Sequence, residues 1–234
     1  LISVGSGTSG RGGGIMVDAG RSTVHTGGDV RISSGEGTAS SSGAVLIRTA
    51  NAGDAGVSGA LLFSSGSSTD GGSGDVLLGS GAATAGQGGN LLLTVGSGTS
   101  GAGGELVAHS GRSTVHTGGL LSLSSGEGTA SSSGSVLIRS VNAGESGVSG
   151  WLAFSSGSTS AGNSGAVLIG TGAATAGRGG AVVLTVGSGT SGAGGAMVMH
   201  AGRSTVHTGG VLHVSSGEGT ASSSGRVVVR SANS

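Results

Sequence analysis

An internal repeat constrains this chain more than any other feature of its sequence. The segments RSTVHTGG, which begins at Arg21, and SSGEGTASSSG, which begins at Ser33, each return twice at intervals of 91 residues. Within each 91-residue block lies a shorter period, made of five repeats of 15 residues and one of 16. A fixed period is typical of a chain built from one recurring structural unit. We number the positions of each repeat so that the apolar residue Ile15 is position 1.

Positions 1 and 3 of the repeats predict a short β-strand. Position 1 is aliphatic or Met in all fifteen repeats that contain it, and position 3 is apolar in all sixteen. Apolar residues two apart point to the same face of a strand. Position 14 is Gly in fifteen of fifteen repeats and position 6 in thirteen of sixteen. Each predicted strand therefore lies between residues that turn freely or allow close backbone approach.

These patterns predict an all-β fold, a parallel β-solenoid (β-helix) with 15-residue coils and six coils in each 91-residue block. Rungs about 4.8 Å apart would make a rod roughly 75 Å long. We expect residues 1–234 to form a single continuous solenoid array of about 2.6 block copies, uncapped at both ends.

The composition excludes several classes of protein. Gly accounts for 57 of the 234 residues, yet the aliphatic residues are regularly spaced, which argues against a disordered chain. Ten Arg balance ten Asp plus Glu, and there is no Lys, so no basic stripe for nucleic acid is present. No apolar run approaches the roughly 18 residues of a membrane span. The absence of Cys rules out a disulfide framework.

Position 2 predicts an interaction surface. This position should face outward if positions 1 and 3 face inward, yet it is apolar in thirteen of sixteen repeats. A long exposed apolar stripe marks a surface that another protein or another part of the chain covers. The simplest partner is a second copy of the same chain. The predicted interface stripe consists of Met16, Leu46, Leu62, Leu77, Leu92, Val107, Leu137, Leu168, Val183, Val198 and Val228.

Position 9 predicts a ladder of threonines. Thr is frequent in strands, and its hydroxyl groups could bond along a stack of rungs. Ranked Thr residues also occur on the ice-binding faces of small β-solenoid antifreeze proteins, so ice binding is the alternative function. The predicted ladder consists of Thr8, Thr23, Thr38, Thr69, Thr84, Thr99, Thr114, Thr129, Thr175, Thr190, Thr205 and Thr220.

Position 7 predicts pairs of opposite charge one rung apart. Such pairs would favour one stacking register, although an exposed pair contributes at most about 1 kcal/mol. Without a nucleophile or a partner carboxylate they do not predict catalysis. The predicted inter-rung ion pairs are Arg21 with Glu36, Arg112 with Glu127 and Arg203 with Glu218.

No motif in the chain predicts a cofactor, a metal or an active site. The segment Val4–Gly10 spells G-x-G-x-x-G, but it occurs three times and is followed by another Gly-rich segment, whereas phosphate binding requires a helix N-terminus. His25, His116 and His207 recur in a predicted turn, without the three or four converging ligands of a metal site. No Ser is singled out as a nucleophile by its surroundings.

The segments SSSGAVLIR and GGNLLLTVGSGTSGAGG resemble the Gly/Ser-rich β-solenoid tracts of large surface and filament proteins, including those of mastigonemes, the hair-like flagellar appendages of some algae and related protists. The resemblance extends over the whole chain and implies an extracellular or cell-surface location. We therefore expect a structural protein, not an enzyme, whose rods associate laterally through position 2 to build a filament or surface appendage. A longer chain that covers the stripe itself is the alternative partner.

Overall fold

The glycines at positions 6 and 14 organise the structure. A computed structural model of the chain describes residues 2–54 and 56–232. These residues contain no α-helix and no β-strand. The backbone bends sharply at positions 9 to 11 of the repeats, as at residues 23–25 and again at 114–116. The 15-residue period of the sequence thus reappears as a regular succession of bends. The chain divides into two parts, Leu1–Ser110 and Gly111–Ser234.

In the N-terminal part, most of the bends are enclosed in loops that a backbone hydrogen bond closes. The amide of Gly28 donates to the carbonyl oxygen of Gly20 over 2.8 Å, and the amide of Gly43 donates to Gly35 over 2.9 Å. Both bonds join position 14 to position 6 of one repeat. We call positions 6 to 14 the closed loop and positions 1 to 3, which lie between successive closed loops, the apolar segment.

The C-terminal part repeats this arrangement. The amide of Gly119 donates to Gly111 and that of Gly210 to Gly202, each over 2.8 Å. In the 16-residue repeats of both parts, the backbone hydrogen bond joins residues that are closer together in the sequence. Gly56 donates to Gly53 over 3.3 Å, and Gly147 donates to Gly144 over 3.4 Å. The extra residue of these repeats therefore follows a tight turn.

Position 14 lies directly against position 5 of its own repeat. A Cβ added to Gly43 would lie 3.3 Å from the Cβ of Ser34, and one added to Gly134 would lie 3.3 Å from the Cβ of Ser125. At these two sites a side chain at position 14 would require its neighbour to shift by a few tenths of an ångström. At Gly74 and Gly165 the added Cβ would make an ordinary contact, 3.7 Å from Ser65 Cβ and 3.6 Å from Ser156 Cβ.

The predicted all-β fold is wrong: the described residues form neither a parallel β-solenoid (β-helix) nor any other sheet. Stacked rungs would require backbone hydrogen bonds between residues about one period, 15 residues, apart. The backbone bonds observed instead join residues eight or three apart, such as Gly43 to Gly35 and Gly56 to Gly53. Closing a short loop costs less chain entropy than pairing distant strands. The abundant glycines, which lose the most freedom when a strand forms, add to that difference.

No hydrophobic core forms among the described residues. The larger apolar side chains are between 43% and 97% exposed, and none of the residues that the structure describes is buried. The solvent-accessible surface is 22970 Å². A compact monomer of this mass would expose about 9,000 Å² and a fully extended chain about 31,000 Å². Because the described residues form no helix, they include none that could cross a membrane.

Candidate self-association surface

The predicted interface stripe lies on the solvent-exposed surface of both parts of the chain. Its side chains range from 54% exposed at Val228 to 91% at Leu168. Positions 1 and 3 are exposed as well, as at Val45 and Ile47. Each apolar segment therefore presents all three of its side chains to water, where position 2 alone was expected to face outward.

The backbone of the apolar segments is also unpaired. The backbone bonds of the described residues use the glycines at positions 6 and 14 or the tight turns of the 16-residue repeats. Side-chain bonds to the backbone fall within the loops, as where Ser22 Oγ accepts the amide hydrogen of His25 over 2.9 Å, or join position 5 to position 14, as where Ser80 Oγ donates to the carbonyl oxygen of Gly89 over 2.8 Å. In the described part of the chain, no residue at positions 1 to 3 takes part in an intramolecular hydrogen bond through its backbone. These residues therefore offer free donors and acceptors beside exposed apolar side chains.

Sequence reasoning missed the closed loop that separates the apolar segments. The Gly residues at positions 6 and 14 were interpreted as turns on either side of a strand. The spacing of eight residues between them is the signal that could have indicated one loop with a closed base. Position 5 is a second signal, because it carries a short or β-branched side chain, such as Ala19, Ser34 or Val95, that faces the Gly.

The twelve threonines of the predicted ladder share one local environment. Each is the first residue of a bend, as are Thr23 at residues 23–25 and Thr190 at residues 190–192. Their hydroxyl groups make no hydrogen bond within the described residues, and nothing in the structure explains the preference for Thr over Ser at this position. Ice binding by these residues stays a prediction, and no structural observation favours it.

The charged residues of position 7 are exposed at the start of the loops, and the structure does not bring Arg21 and Glu36, or their counterparts in the other blocks, within ion-pair distance. Within the described residues the ion pair that does form joins Arg31 and Asp29, with 3.0 Å between Nη2 and Oδ2. Its side chains are 88% and 69% exposed, so it contributes between zero and about 1 kcal/mol.

Two shallow hollows recur one block apart. One, of about 270 Å³, is lined by residues 48–51, and the other, of about 430 Å³, by residues 139–142. Four consecutive residues line each hollow, so each is a curve of the backbone and not a cavity between elements. Within residues 2–54 and 56–232, no three His, Asp or Glu side chains converge as metal ligands would.

The chain was compared with protein families, curated proteins and solved structures. No family model matches it, no curated protein matches it, and no solved structure matches it.

Proposed function

We propose that this chain is a structural protein whose copies associate through their apolar segments to build an extracellular filament or surface appendage. The observation that supports the proposal is the exposure of the interface stripe, whose least exposed member, Val228, is still 54% exposed. Exposed apolar surface favours association, since each Å² removed from water contributes about 25 cal/mol. The resemblance to surface and filament proteins supports the extracellular location.

A second copy of the chain is the partner in this proposal. The chain has no net charge, because ten Arg balance ten acidic residues, so copies do not repel one another at long range. The many apolar segments of one chain can bind together, and multivalent binding strengthens association without any new type of contact. The proposal assigns the chain no catalysis, no cofactor and no nucleic-acid partner.

Substitution of the stripe tests this proposal. We expect Leu77→Ser, Leu92→Ser and Leu168→Ser together to abolish association, because these three side chains are 84%, 79% and 91% exposed and would each lose their apolar contact area. The measurement is light scattering over a dilution series, with electron microscopy of the same samples.

The loop tips provide a matched control for the stripe. Val24, Val115 and Val206 are 80–81% exposed but lie at bends outside the apolar segments. The triple variant Val24→Ser, Val115→Ser and Val206→Ser should associate as the parent does. Equal loss of association in both triple variants, or a parent that stays monomeric at every concentration, would contradict the proposal.

A further inference from the structure

The apolar segments combine two unsatisfied features at the same residues. Their side chains are exposed, and their backbone amide and carbonyl groups have no partner in the described part of the chain. Exposed side chains alone can associate in many orientations. Unpaired backbone groups beside them are the template by which one chain adds to another as a strand. The next step rests on the proposed self-association and concerns its geometry.

We propose that apolar segments of one copy pair with apolar segments of a second copy through backbone hydrogen bonds, forming intermolecular sheets that the isolated chain lacks. Six-residue stretches with apolar and β-branched residues, no charge, no Pro and no Gly pair most readily in this way. The stretches that fit this description include Asn90–Val95 and Ala181–Val186.

The spacing of the segments identifies a second copy as the partner. Only a chain with the same 15-residue period can engage successive segments at once. Position 2 also carries one polar residue in each block, namely Arg31, Ser122 and His213, which lie 91 residues apart. A shift of one repeat between copies would place Arg31 opposite Leu46, whereas a shift of a whole block places polar residues opposite polar residues. At position 2, an offset of whole blocks therefore keeps polar residues together without placing two Arg31 side chains opposite each other, as exact register would.

Closed loops permit this pairing without unfolding. Most of the loops are held at their base by the hydrogen bond between positions 14 and 6. In two others the hydroxyl group of position 5, Ser80 or Thr171, donates to the carbonyl oxygen of position 14. The apolar segments between the loops therefore stay free for another chain. The loop that follows Asn90–Val95, for example, is closed by a hydrogen bond of 3.1 Å from the amide of Gly104 to the carbonyl oxygen of Gly96. A second copy can therefore add to the segment while the loop bond remains intact.

Proline and alanine substitutions at the same sites separate backbone pairing from side-chain burial. One variant carries Leu92→Pro and Val183→Pro, and the other carries Leu92→Ala and Val183→Ala. Both variants shorten the apolar side chains, but only the proline variant also removes the two backbone amide donors. We expect the proline variant to need a concentration at least about tenfold higher than the alanine variant before it assembles, since each tenfold corresponds to about 1.4 kcal/mol. The assembled parent should also give a fibre-diffraction reflection near 4.7 Å, the spacing of paired strands.

The outcomes distinguish this inference from the proposed function. Equal effects of Pro and Ala, in a parent that assembles without the strand-spacing reflection, would overturn backbone pairing and leave self-association standing. A parent that never assembles would overturn both. A parent that binds only some other macromolecule, and not itself, would likewise exclude a second copy as the partner.

Discussion

At the scale of single residues, the glycine at position 8 has a different role from its neighbours in the loop. A Cβ added to Gly98 would lie 2.5 Å from the carbonyl oxygen of Gly101 and 2.6 Å from that of Ala102. Real Cβ atoms do not approach backbone so closely, so the loop would have to open. A Cβ added to Gly101 would meet nothing within 4 Å. Two glycines three residues apart thus differ in their tolerance of a side chain.

This difference gives a prediction for one loop. Gly98→Ala should weaken the bond between the Gly104 amide and the Gly96 carbonyl, whereas Gly101→Ala should leave it intact. The temperature coefficient of the Gly104 amide proton, measured by NMR at a concentration where the chain is monomeric, reports that bond. An unchanged coefficient in Gly98→Ala would show that the loop accepts the methyl group without opening.

The loops with the sequence RSTVHTGG have Ser in place of Gly at position 8, and its side chain bonds to the backbone of the bend. Position 8 is Ser22, Ser113 or Ser204 in the RSTVHTGG repeats, and its hydroxyl oxygen accepts the amide hydrogen of the His three residues later over 2.8–2.9 Å. Ser side chains commonly stabilise turns by such local bonds. The loops with Gly at position 8 and those with Ser there therefore differ in sequence but are closed by the same backbone hydrogen bond between positions 14 and 6.

At the scale of the element, the closed loop depends on the complementarity of positions 5 and 14. The contact is tightest at Val95 and Val186: a Cβ added to Gly104 would lie 2.6 Å from Val95 Cγ1, and one added to Gly195 would lie 2.6 Å from Val186 Cγ1. We expect Gly104→Val to open the base of this loop, because two branched side chains cannot occupy the space. Adding Val95→Gly should restore closure, since the double variant again has one Val and one Gly in contact, with their positions exchanged.

The same NMR coefficient, now of the residue 104 amide, measures this exchange, and its control is Gly103→Val. An added Cβ at Gly103 meets nothing within 4 Å, so that variant should keep the loop closed. If the double variant is as open as Gly104→Val alone, the contact between positions 5 and 14 does not determine closure.

The elements also show how far the sequence predicts this structure. The period was predictable, and the close backbone approach expected at position 14 is present at Gly28, where an added Cβ would lie 3.2 Å from the backbone nitrogen of Gly20. The lack of a strand was not predictable from the sequence. The alternation of Val30 and Ile32 determines which side chains share a face, but not whether a second strand lies beside them to pair with their backbone. Thr23 shows the same limit: its β-propensity predicted a strand position, and it lies at a bend.

Exposure does not distinguish the predicted interface stripe from its neighbours, so its role as an interface stays a prediction. Leu77 and Leu168 are exposed, as expected for position 2, but Val76 and Val167 at position 1 are 54% and 52% exposed instead of buried. Inward and outward positions differ only when a core exists to receive one of them. Without a core, the whole apolar segment becomes surface.

At the scale of the whole molecule, the lack of any buried residue among those described predicts that unfolding is not cooperative. Cooperativity arises when many side chains share one packed interior, and none of the described residues is buried. In a urea titration of the dilute monomer, we expect the far-ultraviolet circular dichroism to change gradually, without a midpoint. A sigmoidal transition would contradict a structure made of independent loops.

The locality of the loop bonds has a consequence for how such a chain changes in evolution. Each bond begins and ends within one repeat, as between Gly210 and Gly202. Inserting or deleting a block by recombination between its similar copies would leave the bonds of every remaining loop unaltered. The number of blocks could therefore change between generations without destabilising the remaining loops. Natural selection would then act on the length of the material that the chains assemble.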